Sequence, residues 1–131
     1  VRAEHFFGIE EVWVDERFKV PVTDRERTAL ELFISSRRFG GMGEALGIME
    51  GHIQEFDMER LVTYAVRYGM ASVAKRLGWA LERFGVSEKH LTPLLEMPVK
   101  GVRALDPMLP RRGGCDRRWM IQNNLRERSG F

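Results

Sequence analysis

The sequence predicts an α+β fold in which strands from the two chain ends form one mixed sheet packed against a layer of about five helices. Three observations predict it. Residues 4–23 and 99–131 hold short runs of β-forming residues broken by turn-formers. Residues 24–97 carry apolar residues at helical spacing instead. The chain has 131 residues, the size of one domain, so both kinds of segment belong to one core spanning 1–131.

At the N-terminal end, Ile9-Glu10-Glu11-Val12-Trp13-Val14 and Lys19-Val20-Pro21-Val22-Thr23 flank the polar break Asp15–Phe18 and read as a hairpin. Pro21 has no amide donor, which places its strand at a sheet edge. Thr23-Asp24-Arg25-Glu26 then reads as a T-x-x-E capping box opening a first helix whose inner stripe is Ala29, Leu30, Phe33 and Ile34. Gly40-Gly41 punctuates the chain before a second helix over about 43–55, with Leu46, Met49, Ile53 and Phe56 inward. Asp57 is a natural N-cap for a third, ended by Gly69 and lined by Leu61, Val62, Ala65 and Tyr68. A fourth, about 71–84, carries Val73, Leu77, Ala80, Leu81 and Phe84, with Leu77 and Phe84 expected inside. Ser87 opens a short fifth helix that stops near Met97-Pro98. Val102–Leu105 and Trp119–Asn123 read as strands joined by the Pro- and Gly-rich loop 106–114. The helix starts follow no fixed period, which excludes a repeat array.

Composition is that of a globular domain, 44% apolar and 31% charged. No apolar run is long enough to span a bilayer, and no basic-then-apolar leader is present, so the expected setting is cytoplasmic. Cys115 is the single cysteine and cannot close an intramolecular disulfide, which fits a reducing compartment. The chain opens on Val1 rather than Met, which reads as a fragment with a segment upstream.

Net charge is only +2, but it is unevenly spread. Residues 99–131 hold eight lysines and arginines against three acids, while the remainder is mildly acidic. Arg37, Arg38, Arg111, Arg112, Arg117 and Arg118 form three basic pairs, the last four around a Gly-rich loop beside Trp119. Guanidinium groups near an aromatic suit a phosphate backbone or single-stranded bases. A Trp in a strand is ordinarily core, so the arginines alone carry the nucleic-acid argument.

Other chemistry is weaker. Gly41-Met42-Gly43-Glu44-Ala45-Leu46-Gly47 could cradle phosphate at a helix start, but a helix rather than a strand precedes it, and Gly47 reads as a close-packing residue. His5, His52 and His90 have no metal-ligand spacing, and His52-Ile53-Gln54-Glu55 lacks a second histidine. Cys115 lies among arginines but has no local base. Ala74-Lys75-Arg76-Leu77-Gly78 has the shape of a helix-turn-helix turn, yet the apolar stripe runs straight through it, favouring one continuous helix. No catalytic residue, metal or cofactor is expected.

The order of segments resembles a known family. Phe6-Phe7-Gly8-Ile9-Glu10-Glu11-Val12-Trp13-Val14 is followed by Val20-Pro21-Val22-Thr23-Asp24-Arg25-Glu26-Arg27-Thr28, then Gly40-Gly41 and Arg76-Leu77-Gly78. Leu105-Asp106-Pro107, Arg112-Gly113, Arg118-Trp119 and Asn123 complete the pattern. Together they resemble the C-terminal domain of AbiEi-type antitoxins of type IV toxin–antitoxin, or abortive infection, systems. The likeness spans nearly the whole chain, and V-T-D-x-E-R-T is its most specific part. It implies an N-terminal winged-helix DNA-binding domain outside this chain, repression of the protein's own operon at operator DNA, and neutralisation of a nucleotidyltransferase-like toxin, with antagonism through RNA or the toxin itself. It implies no catalytic residue.

The expected function is thus a non-enzymatic transcriptional regulator and antitoxin domain with no membrane contact. Two alternatives stay open: a protein-interaction or oligomerisation module without nucleic-acid contact, and a nucleotide-binding enzyme using Gly41–Gly47.

Overall fold

The computed structural model describes residues 8–13 and 19–125, with the strands over 9–13 and 19–23 described through their backbone. His5, Phe6, Phe7, Val14 and the charged residues 126–128, all used above, lie outside the described residues. Strands β1 (Ile9–Trp13) and β2 (Lys19–Thr23) pair antiparallel from Ile9↔Thr23 to Trp13↔Lys19, as the hairpin pattern predicts. They form a two-stranded sheet of their own, so the strand holding Pro21 is an edge strand.

Helix α1 (Arg25–Ile34) starts one residue later than the T-x-x-E pattern implies. Its N-cap is Asp24, whose carboxylate accepts the Arg27 N–H at 2.8 Å. Glu26 does not reach back to close a capping box. It accepts the Asp57 N–H at 2.9 Å instead, joining the starts of α1 and α3 (Met58–Tyr68). Asp57 caps α3 as expected by accepting from Arg60 N–H, and Gly69 ends it. Helix α2 (Met42–His52) is shorter than predicted because residues Ile53–Glu55 tighten into a 3₁₀ turn. Helices α4 (Ala71–Arg83) and α5 (Glu88–Leu95) complete the layer.

The helices pack as their apolar stripes direct. Helix α1 contacts α2, α3 and α4, while α5 closes on α3 and α4. Leu30, Met42, Leu46, Met49, Leu61, Leu77, Leu81, Leu91 and Leu94 are fully buried in one cluster. Helix α4 runs unbroken through Gly78, so the helix-turn-helix likeness is a property of the letters only. Phe84 is only partly buried, because it is the C-cap residue of α4 rather than a residue of its inner face. Gly47 is exposed, and a Cβ there would meet open space, so it is not a close-packing residue.

At the C-terminal end, β3 (Arg103–Ala104), β4 (Cys115–Asp116) and β5 (Ile121–Gln122) form a small mixed sheet in the order β3-β5-β4. Strand β5 is parallel to β3 and antiparallel to β4. The fold class is α+β, with five α-helices among the described residues, but among those residues the strands of the two ends do not join. The hairpin satisfies its ladder within itself. The C-terminal sheet docks on α4 through Trp119 and Ile121, both fully buried.

Candidate nucleic-acid interface

The loops that carry the C-terminal arginines are pinned from below by a buried polar cluster. Asp106 is 4% exposed, and its carboxylate accepts the Met42 N–H at 3.2 Å and the Met108 N–H at 2.8 Å. Asn124 is fully buried: its side-chain oxygen accepts the Asp106 N–H, and its amide donates to the carbonyls of Asp106, Leu109 and Pro110. One side chain thus satisfies four backbone groups of a loop that has no ladder of its own. Gly113 sits at φ +91° with the Asn123 carbonyl 2.1 Å from where a Cβ would stand, so only glycine fits that crossing.

On this base the six predicted arginines have different surroundings. Arg37 and Arg38 are exposed in a 3₁₀ turn, Ser36–Phe39, between α1 and α2. Arg112 and Arg117 are exposed on the 106–114 loop and the β4–β5 turn. None of these four makes an ion pair or side-chain hydrogen bond among the described residues. Arg111 is exposed but donates from Nη2 to the Val102 carbonyl at 2.9 Å. Arg118 is bound to two acids, with Nε 3.0 Å from Glu82 and Nη2 2.5 Å from Glu88, and its guanidinium lies 5.7 Å from the Trp119 ring. The hydrogen bond to Glu88 raises its already high pKa against the opposing effect of burial. Arg118 therefore bridges the ends of α4 and α5, and the carboxylates cancel the charge it would offer a polyanion. Trp119 faces the core, but from the β4–β5 turn: the strand expected over Trp119–Asn123 is confined to Ile121–Gln122.

The competing chemistries can be placed as well. The start of α2, the proposed phosphate cradle, already holds Asp106: its carboxylate takes the Met42 amide. An incoming phosphate would have to displace a buried anion of the same sign. Cys115 is exposed beside Trp79, Arg83 and Asp116 at an open hollow of about 360 Å³. Arg83 stacks on the Trp79 ring at 4.1 Å rather than on the thiol. His52 pairs with Glu55 on the surface, and among the described residues no group of three or more His, Cys, Asp or Glu is placed to hold a metal ion.

A second polar cluster joins α1 to α3. Tyr64 donates to Asp24 at 2.5 Å, and Arg60 lies 3.5 Å from Glu26. Burial, with the Asp24 hydrogen bond next, pushes the Tyr64 pKa up to about 12. The phenol, held in its protonated form, donates this hydrogen bond and so ties α3 to the start of α1.

Comparison with protein-family models finds no match, and comparison with curated proteins and with solved structures finds none either. No described helix is long and apolar enough to cross a membrane.

The sequence reading missed two arginines. Arg76, half-buried on α4, donates from Nε to the Ala104 carbonyl at 3.0 Å, and Arg103 stands beside it on β3. Arg103 was visible as the polar member of the alternating Val102–Leu105 run, but no local pattern joins it to Arg76.

Proposed function

We propose that this chain is a non-catalytic, cytoplasmic regulatory domain of the AbiEi antitoxin kind, which holds a polyanion electrostatically while a winged-helix domain reads operator sequence. In this reading it neutralises a nucleotidyltransferase-like toxin through nucleic acid rather than by chemistry of its own. The observation that supports it is the set Arg37, Arg38, Arg112 and Arg117: four exposed guanidiniums on short turns, without a carboxylate partner among the described residues. Unpaired surface arginines carry little cost in water and are available to phosphates. Pairing has removed Arg118 from that set.

Fluorescence anisotropy with a labelled DNA duplex, measured from low to high salt, tests the proposal. The slope of log affinity against log salt should lose about 0.9 for each arginine that contacts a phosphate when Arg37, Arg38, Arg112 and Arg117 are changed to Ala. An unchanged slope would assign these arginines to solvent. Salt-resistant association with a protein partner, without DNA binding, would favour the interaction-module alternative.

A further inference from the structure

Among the described residues β3 is an edge strand, and its outer side carries guanidinium groups. The amides of Arg103 and Leu105 donate inward to Met120 and Gln122 on either side of the β5 ladder, at 2.9 and 2.8 Å. In a parallel pair, residues of alternate number face opposite sides, so the carbonyls of Val102 and Ala104 point away from β5 to the free edge. Each of them receives an arginine: Arg111 reaches Val102 at 2.9 Å, and Arg76 reaches Ala104 at 3.0 Å. Carbonyls two residues apart on one side of a strand are separated by roughly 6.5 Å. Arg103 lies between them in sequence, exposed and close enough to Arg76 to disfavour its charge.

We propose that Arg76, Arg103 and Arg111 form a phosphate-binding site along the β3 edge. A guanidinium has five N–H donors. Arg76 uses its Nε and Arg111 one terminal nitrogen on the strand carbonyls, so each is fixed in place with donors to spare. None of the three makes an ion pair among the described residues. The acid that acts on Arg76 is Asp106, and both of its oxygens are already engaged by the Met42 and Met108 amides. Burial first, and then Arg103, lower the Arg76 pKa. Arg76 and Arg103 are thus held close together with Asp106 as the one acid acting on Arg76, its oxygens committed to backbone amides, and an oxyanion bridging the guanidiniums would relieve the remaining repulsion. The same chemistry could come from the backbone of a polynucleotide or from a free phosphate. This site deepens the proposed function and rests on that reading for its preferred source, the polynucleotide.

The test compares wild type, Arg103→Gln with Arg111→Gln, and a control with Arg112→Gln and Arg117→Gln. Arg76 is left intact because it also ties α4 to β3. Each protein is titrated with a labelled DNA duplex across salt and, separately, with pyrophosphate followed by thermal unfolding. The edge variant should bind duplex about tenfold more weakly at low salt, with a salt slope reduced by about two. It should also lose any stabilisation by pyrophosphate. If wild type and the edge variant bind duplex alike while the control is impaired, the edge site is wrong and the proposed function stands. If wild type ignores duplex but is stabilised by pyrophosphate through Arg103 and Arg111, the site stands as a free-phosphate site and the proposed function falls. If neither probe binds wild type, both are overturned.

Discussion

The ring of Trp119 lies directly across the backbone of Gly78, so that a Cβ added to Gly78 would sit 2.1 Å from ring atom Cζ3. A glycine inside a 13-residue helix lowers helix propensity, and here that cost secures the seat of a fully buried tryptophan. The contact joins the helical layer to the β4–β5 turn and places β5, which follows it.

Gly78→Ala should therefore destabilise the fold although alanine is the better helix former. Overpacking against the indole is expected to cost about 1–3 kcal/mol in urea unfolding, beyond the gain of up to about 1 kcal/mol in propensity. Combining it with Trp119→Phe, which removes the ring atoms that clash, should cost less than the sum of the single changes. Strict additivity would show that the two residues do not share this contact.

Asn124→Leu should rank among the most damaging single changes. It strips partners from the Asp106 amide and from the carbonyls of Asp106, Leu109 and Pro110. A loss of about 2–4 kcal/mol is expected, since buried polar groups left unpaired bear their full desolvation penalty. Asp106→Ala should loosen α2 as well, and faster hydrogen exchange at the Met42 amide would report it.

Stability at alkaline pH should depend on two groups with opposite signs, one partly buried and one buried. Tyr64 has its pKa raised to about 12 from 10.0, so above pH 10 the unfolded chain releases a proton that the folded chain keeps. Its contribution is complete below pH 10 and fades as pH rises towards 12. Lys75 is 3% exposed, donates to the carbonyls of Leu94 and Leu95 at the end of α5, and has its pKa lowered by burial from 10.5. In the interval just below 10.5 the folded chain has released a proton that the unfolded chain keeps, so this contribution rises with pH. Tyr64→Phe should flatten the decline above pH 10, whereas Lys75→Met should remove the rise below it. Parallel pH profiles for wild type and both variants would refute this assignment.

What could be read in advance follows from how local each signal is. Asp57 and Gly69 bracket α3 because caps act within one turn, and the stripes of α1 and α4 name Leu30 and Leu77 because periodicity lies within the helix. The partition of the strands into two sheets depends on contacts across the whole chain, and a two-residue strand such as Cys115–Asp116 has no periodicity to detect. The site was only half legible for the same reason. Arg118 looks like its neighbour Arg117 until tertiary folding brings Glu82 and Glu88 to it. Lys75 and Arg76 look like ordinary polar-face residues of α4, yet one is buried under the end of α5 and the other caps a strand.

The arginines on Val102 and Ala104 also bear on self-association. A short strand left bare along one side ordinarily invites a neighbouring molecule to continue the ladder, the first step towards fibrils. Here the outward acceptors of that strand are already occupied by bulky cations. On the β3 side the border is thereby guarded against recruitment of a neighbouring molecule.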